Sequence, residues 1–320
     1  MDRSSDAVDR ALVRCPACGQ RLRVPRLTGR TLAVKCPRGC PEFEFDCNLG
    51  VVRPIAADGR QRRSVLRVIS LQSGSNGNCI YVEAGETRLL FDAGISCKQA
   101  ERRLRAHGRT LADVNALLIS HDHSDHTLCA GVFHRMHGLP LFITRDAYRS
   151  AAQRIGDVDA AAVNCFPGGE RLRFGDVTVE TFPTAHDGCG CVAFVVEAAG
   201  RRLGILTDLG HVFDGLAEAV ASVDAVVLES NYDPDMLETG RYPRFLKERI
   251  KGPGGHISNV EAAHLLRDHA GERLRWACLA HLSADNNTPE VALATHRRIW
   301  GNGRPLHLAG RHSCSGLLEL

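Results

Sequence analysis

His121-Asp122-His123-Ser124-Asp125-His126 puts three imidazoles and two carboxylates into six consecutive residues. The apolar run at 114–119 just before it reads as a buried strand. Successive residues of an extended chain point to opposite sides, so His121 and His123 face the same way. Asp125 and His126 fall in the following turn and face a second position. Imidazole suits Zn, Mn or Fe, and carboxylate suits the harder ions. One hexapeptide can therefore begin two neighbouring metal sites. The bland alternative is a polar loop at a helix start, but four possible ligands in H-x-H-x-D-H order argue against it.

On both sides of this stretch, short β-type runs alternate with helical ones. The pattern predicts strands over 65–71, 79–83, 87–91, 139–144, 225–228, 274–280 and 305–308. Hairpins are expected over 171–174 with 177–182, and over 192–197 with 202–206. Helices are expected over 97–106, 146–154, 214–220 and 259–269, and from an N-cap Thr288 and N1 Pro289 to about 299. Sheets packed together with helices outside, an α/β layer arrangement, accommodate this order. Four further residues with metal chemistry each follow an apolar run: Asp92, His186, Asp208 and His281. Each alone is weak, because a strand-end Asp or His is common.

Taken together and in this order, these residues resemble the metallo-β-lactamase fold of the dinuclear hydrolase type, over residue 64 to about 310. The resemblance implies an αββα sandwich. It implies that His121, His123 and His186 hold one divalent ion, that Asp125, His126 and His281 hold another, and that Asp208 bridges them. Asp92 would orient the ligand loop through hydrogen bonds. Within this fold, Ser73-Gly74-Ser75-Asn76-Gly77-Asn78, Glu229-Ser230-Asn231-Tyr232-Asp233, the run from Gly252 to Asn259 and the run from His281 to Asn287 look like the YycJ/WalJ group. That group resembles 5′→3′ DNA exonucleases and is related to tRNA 3′-processing nucleases. Only 22 positions separate His186 from Asp208, too few for the long arm of the tRNA nucleases. Asp208 to His281 is 73 positions, too short for the inserted domain of the RNA-processing and DNA-repair members.

The implied chemistry is phosphodiester hydrolysis by two Zn or Mn ions roughly 3.5–4 Å apart, with a hydroxide held between them. Asp125 can accept a proton or orient the water. His256 is the candidate to protonate the leaving oxygen, with a helix cap as its plain alternative, and the helix amides after Ser258 and Asn259 could bind a phosphate. Glu229 is either an outer support of the site or a solvated strand end. Ser75 and Asn78 either line the substrate mouth or form a turn. His134, His137, His211, His264 and His296 read as surface or capping residues. Cys79, Cys97, Cys129, Cys165, Cys278 and Cys314 read as small buried apolar residues.

Residues 13–50 carry five of the 13 cysteines. Cys15-Pro16-Ala17-Cys18-Gly19 is a zinc-knuckle turn, and Cys36-Pro37-Arg38-Gly39-Cys40 supplies a second pair after 17 residues. Together they suggest a four-cysteine zinc ribbon with one structural Zn, and Cys47 can replace Cys40 as the fourth ligand. So short a module needs such a staple. From Arg10 to Cys40 there are eight basic residues and no acidic one. A basic ribbon fits a phosphate backbone, a protein partner or a solvated face. The expected division is a polar tail at 1–12, the ribbon at 13–50, a linker at 51–63 and the hydrolase domain at 64–320.

The 320 residues include 40 basic and 37 acidic side chains, a net charge of +3, with 44% apolar residues. No apolar run reaches the roughly 18 residues a membrane span needs. The N-terminus lacks a signal-peptide pattern. A membrane is therefore not an expected partner, and a cytoplasmic location is expected. Cysteines that are odd in number and scattered argue against a disulfide framework. Three functions remain: a DNA exonuclease, a thioester or lactone hydrolase of the same fold, and a binding module with a silent hydrolase fold. The filled ligand positions argue against the last.

Overall fold

The computed structural model describes residues 10–25, 31–40, 42–47, 50–54 and 65–320. The Cys-rich N-terminal part is a set of short antiparallel strands. Strands β1 (Arg10–Arg14) and β2 (Arg21–Pro25) form a hairpin. Strands β3 (Thr31–Val34), β4 (Phe43–Asp46) and β5 (Val51–Pro54) form a three-stranded sheet. Val13, Val24, Val34, Phe43 and Phe45 bury their side chains together with Cys15, Cys36 and Cys47. This small core is separate from those below. Two expected boundaries shift. β1 begins inside the stretch read as a tail, and β5 lies in the stretch read as a linker. β5 shows no apolar period because pairing with β4, from Asp46↔Val51 to Phe43↔Pro54, makes it a strand. The rest of the tail (1–9) and of the linker (55–63), and Arg26 and Arg30 of the basic run, lie outside the described residues.

The remainder is built on two seven-stranded sheets. The first contains β6 (Arg67–Gln72), β7 (Cys79–Ala84), β8 (Thr87–Phe91), β9 (Ala116–Leu118), β10 (Leu141–Thr144) and β11 (Val163–Phe166). The second contains β12 (Arg171–Phe174), β13 (Val177–Pro183), β14 (Val192–Ala198), β15 (Arg201–Leu206), β16 (Ala225–Glu229), β17 (Trp276–Ala280) and β18 (Leu306–Leu308) in sequence order across the sheet. The C-terminal β19 (Leu318–Glu319) returns to pair with β6. Alternation along β7 shows how one strand serves two layers. Ile80, Val82 and Ala84 pack between the sheets, and Cys79 and Tyr81 face the helices. Phe91 meets Phe194 across the inter-sheet core, with ring centroids 5.1 Å apart.

Helices α1 (Cys97–Arg105), α2 (Ser124–Thr127), α3 (Ala130–His137) and α4 (Arg145–Ile155) lie on the first-sheet side, and α1, α3 and α4 share its outer core. Helices α5 (Asp214–Ser222), α6 (Pro234–Thr239), α7 (Arg244–Lys251), α8 (Asn259–His269) and α9 (Pro289–Ile299) follow the later strands, and α5 and α8 cover the second sheet. The result is an αββα sandwich. Among the described residues no helix is long and apolar enough to cross a membrane. His296 is buried within α9, where Nδ1 meets the Ala292 carbonyl, so it is neither a surface nor a capping residue. Cys165 is exposed and Cys129 and Cys314 half-buried, unlike the fully buried residues expected.

β8, β9, β13, β15, β16 and β17 all end at one rim of the sandwich. Asp92, Asp208 and His281 sit just beyond β8, β15 and β17 with φ of 63°, 58° and 54°. Left-handed backbone at residues other than glycine is uncommon and gathers at functional sites. It turns each chain sharply off its strand and presents the side chain at the rim. At the opposite end of β13, the Asp46 carboxylate accepts a hydrogen bond from the Gly175 amide at 2.8 Å, tying the N-terminal strands to the β12–β13 turn.

Candidate metal centre

At this rim His121, His123 and His186 bring one nitrogen each within 4.8 Å of one another. Asp125, His126 and His281 form a second such group. Asp208 lies between them: Oδ1 is 3.7 Å from His186 Nε2 and 3.5 Å from His281 Nε2, and Oδ2 is 3.4 Å from His126 Nε2. Except for His123 and Asp125 these side chains are buried.

Four of the five rings, His123 being the exception, are aimed by a bond to their other nitrogen. His126 Nδ1 meets Asp92 Oδ2 at 2.8 Å, so Nε2 points inward. Ser120 bonds Asp92, His121 Nδ1 and His126 Nδ1 together, at 2.9 Å from Asp92 Oδ1 and His121 and 3.1 Å from His126. His186 Nδ1 is 2.9 Å from the Gly255 carbonyl. His281 Nδ1 is 3.2 Å from Asn231 Nδ2. Three atoms aimed at the centre have no hydrogen-bond partner despite burial: His121 Nε2, His281 Nε2 and Asp208 Oδ2. An unpaired buried polar atom is costly. Three converging on one space, of nitrogen and oxygen character, fit divalent metal ions.

The electrostatics have one theme, burial against opposite charge. Burial pushes the His121 and His123 rings down, toward the neutral form that a metal needs. Burial also disfavours charge on His126 and His281, but Asp92, Asp208 and Asp125 outweigh it and hold His126 well above the usual imidazole range. Asp208 and Asp125 raise His281 to about 9. These imidazoles in turn overcome burial and hold Asp125 and Asp208 far below the ordinary carboxylate range.

Glu229 is fully buried, and its Oε1 is 2.5 Å from His256 Nδ1. Its Oε2 accepts from the Leu209 amide at 3.0 Å. The His256 ring lies 4.9 Å from His186 and 5.2 Å from His281, centroid to centroid, and its side chain is 20% exposed. Glu229 is therefore not a solvated strand end, and His256 does not cap a helix. Ser258 caps α8, its side chain and amide bonded to Glu261. The amides of Ser258, Asn259 and Glu261 are taken by Glu261, Tyr232 and Ser258, so these three are not free for phosphate.

Asn78 is not at a mouth. It is buried, with Nδ2 3.0 Å from His126 Nε2 and 3.1 Å from Asp125 Oδ2, while Ser75 is exposed. Ser120 and Asp187 escaped the sequence reading, and Asn231 stood there only within a motif. Asp187 Oδ1 is 3.7 Å from His123 Nε2 and 3.6 Å from His186 Nε2. Only adjacency to a ligand or strand end signalled them. In the N-terminal strands Cys15, Cys18, Cys36 and Cys40 bring their sulfurs within 4.8 Å of one another. Cys47 stands apart, its thiol 3.7 Å from the Pro25 carbonyl. Burial raises Cys15, but amides of Ala17 and Cys18 more than offset it and bring it down to about 7. Sharing with the Cys18, Cys36 and Cys15 thiols pushes Cys40 up to about 12.

A β-lactamase superfamily domain matches residues 87–279. The chain belongs to the metallo-β-lactamase superfamily. As a member it is a metal-dependent hydrolase. It is 36% identical over 222 residues to the exodeoxyribonuclease YycJ of Bacillus anthracis, covering 69% of this chain and 84% of that protein. It is 34% identical over 227 residues to the exodeoxyribonuclease WalJ of Streptococcus pneumoniae, covering 70% and 84%. Among solved structures, the metallo-β-lactamase fold protein YhfI of Bacillus subtilis superposes with a TM-score of 0.63 at 16% identity, over 80% of this chain and all of that one. Zn-bound PqqB of Methylobacterium extorquens gives 0.60 at 20%, over 79% of this chain and all of that one. The superfamily fold thus covers the sandwich, and the Cys₄ cluster is consistent with a zinc ribbon in front of it.

Proposed function

We propose that the protein is a dinuclear metal-dependent phosphodiesterase that removes nucleotides from DNA ends in the 5′→3′ direction. His121, His123 and His186 would hold one divalent ion, Asp125, His126 and His281 a second, and Asp208 would offer an oxygen to each. Zn or Mn bound there supplies positive charge that acidifies water and neutralises charge on a phosphate. The N-terminal strands, residues 10–54, would form a ribbon module holding a structural Zn, ahead of the hydrolase domain at 64–320, in a cytoplasmic protein.

The observation that carries the reading is the Glu229–His256 contact. Glu229 occupies Nδ1, which leaves Nε2 of a half-exposed ring free beside the cluster. A sugar alkoxide is a poor leaving group and needs a proton at the moment it departs, whereas a thiolate does not. A proton donor fixed there suits a phosphodiester. Asp125, 3.4 Å from His126 Nε2 and 3.5 Å from His281 Nε2, would orient the water. The relatives named exodeoxyribonucleases point to DNA.

The test is a panel of substrates given to protein loaded with Zn or Mn: 5′-labelled single- and double-stranded DNA, RNA and a glutathione thioester. The expected result is release of labelled mononucleotide from DNA at the earliest times. Thioester cleavage without nuclease activity overturns the reading, and release of label only at late times reverses the polarity.

A further inference from the structure

We propose that Phe245 is a stacking platform for a base of an unpaired DNA strand entering the metal cleft. The proposal rests on the nuclease reading above. Phe245 is 72% exposed, while among the described residues every other Phe, Tyr and Trp is buried or half-buried. A lone exposed apolar residue needs no explanation, so its surroundings decide.

Phe245 belongs to α7, a helix with no buried residue, which is held by its ends. Before it, Arg241 and Tyr242 bind the Asp285 carboxylate, with Tyr242 Oη 2.7 Å from Oδ2. Asp285 lies four residues past His281. Near its other end, Arg249 Nε donates to Asp187 Oδ2 at 2.7 Å, one residue past His186. The Ile250 carbonyl then accepts from the His256 amide. The segment thus spans the two ligand-bearing loops from one metal group to the other. Phe245 and Arg249 are four residues apart and share one helix face, a turn from each other. That face meets the rim at Asp187. Two of the other exposed large apolar residues, Leu128 and Val212, follow His126 and Asp208 by two and four residues.

The charge fits the same occupant. Arg241, Arg244 and Arg249 are 81%, 91% and 61% exposed. The Arg244–Glu248 pair is a surface pair of the kind that contributes little, so a phosphate can replace that carboxylate, while Arg241 and Arg249 hold the segment and add positive charge beside it. An exposed ring among arginines is how proteins hold single strands of any sequence. A duplex keeps its base faces stacked inside and offers none to Phe245.

The test measures binding of a 3′-fluorescein dT20 strand by anisotropy, alongside a 20-base-pair duplex. The Phe245→Ala variant, with metal content and Tm like the wild type, is expected to bind dT20 about 5- to 150-fold more weakly. Its salt slope should not change, because the lost contact is not ionic. Duplex binding and hydrolysis of bis(p-nitrophenyl) phosphate should also be unchanged. Phe245→Trp should restore affinity, and its added fluorescence should be quenched by dT20. Wild-type-like dT20 binding by Phe245→Ala overturns the proposal while leaving the nuclease reading intact. Equal losses for strand and duplex overturn the unpaired occupant. A wild type that cleaves the thioester and binds no DNA overturns the nuclease reading itself.

Discussion

At the scale of single residues, the proposed role of the Glu229–His256 contact is proton delivery apart from metal holding. His256→Ala is expected to lower DNA turnover by about 100-fold or more, with both active-site ions retained by elemental analysis. Loss of an ion in this variant would make His256 a ligand instead. Glu229→Gln should lower turnover by a smaller factor, since the amide oxygen can still accept from Nδ1 and hold the ring. The carboxylate–imidazole pairs set a second expectation. His281, raised to about 9, contributes stability that is fully present below its ordinary 6.5 and lost as pH rises through 9. Asp125 and Asp208, held low, contribute stability present above 3.8 and lost as pH falls below it. Chelator-stripped protein should therefore lose Tm on raising the pH from 6.5 to 9, while metal-loaded protein should not. Metal affinity should rise over the same interval as the proton on His281 leaves. The residues of the two clusters were legible because each follows an apolar run in a set order. Asn78, Ser120 and Asn231 were not, because a polar residue shows its partner only when distant segments meet.

At the scale of elements, strands and capped helices were readable wherever one face is buried. The 87–91 strand and the 259–269 helix match the observed bounds residue for residue. α7 had no apolar stripe to read, since it buries nothing. β11 is a short edge strand with three of its four residues off the core, set by parallel pairing with β10. The β14–β15 hairpin carries a correctable flaw. Its two-residue turn, Ala199-Gly200, holds both residues at positive φ, 53° and 72°. That geometry favours Asn-Gly. Ala199→Asn is expected to stabilise the protein by about 0.5–1 kcal/mol in denaturant unfolding, with activity unchanged.

At the scale of the whole molecule, the N-terminal core is separate from those of the sandwich, and the two proposed kinds of metal site are separate with them. Cys40→Ser should remove about one Zn per chain, measured after mild chelation that spares the active site, and should leave bis(p-nitrophenyl) phosphate hydrolysis intact. Cys47→Ser should not change Zn content, because that thiol points at the Pro25 carbonyl. The near-neutral whole-chain charge hid the basic character of residues 10–40, which is local and averaged away over 320 positions.

The bond from Asp46 to Gly175 holds β4 of the N-terminal strands against the β12–β13 turn. That contact lies at the far end of β13, whose seven residues cover about 20 Å at ~3.3 Å per step. A nucleic acid strand rising ~3.4 Å per nucleotide must run about six nucleotides beyond the reacting phosphate to touch both ends. Shorter fragments can be gripped at one end only. Where the N-terminal strands take part in holding DNA, this spacing acts as a ruler, and affinity would step up once the substrate exceeds that length instead of climbing smoothly.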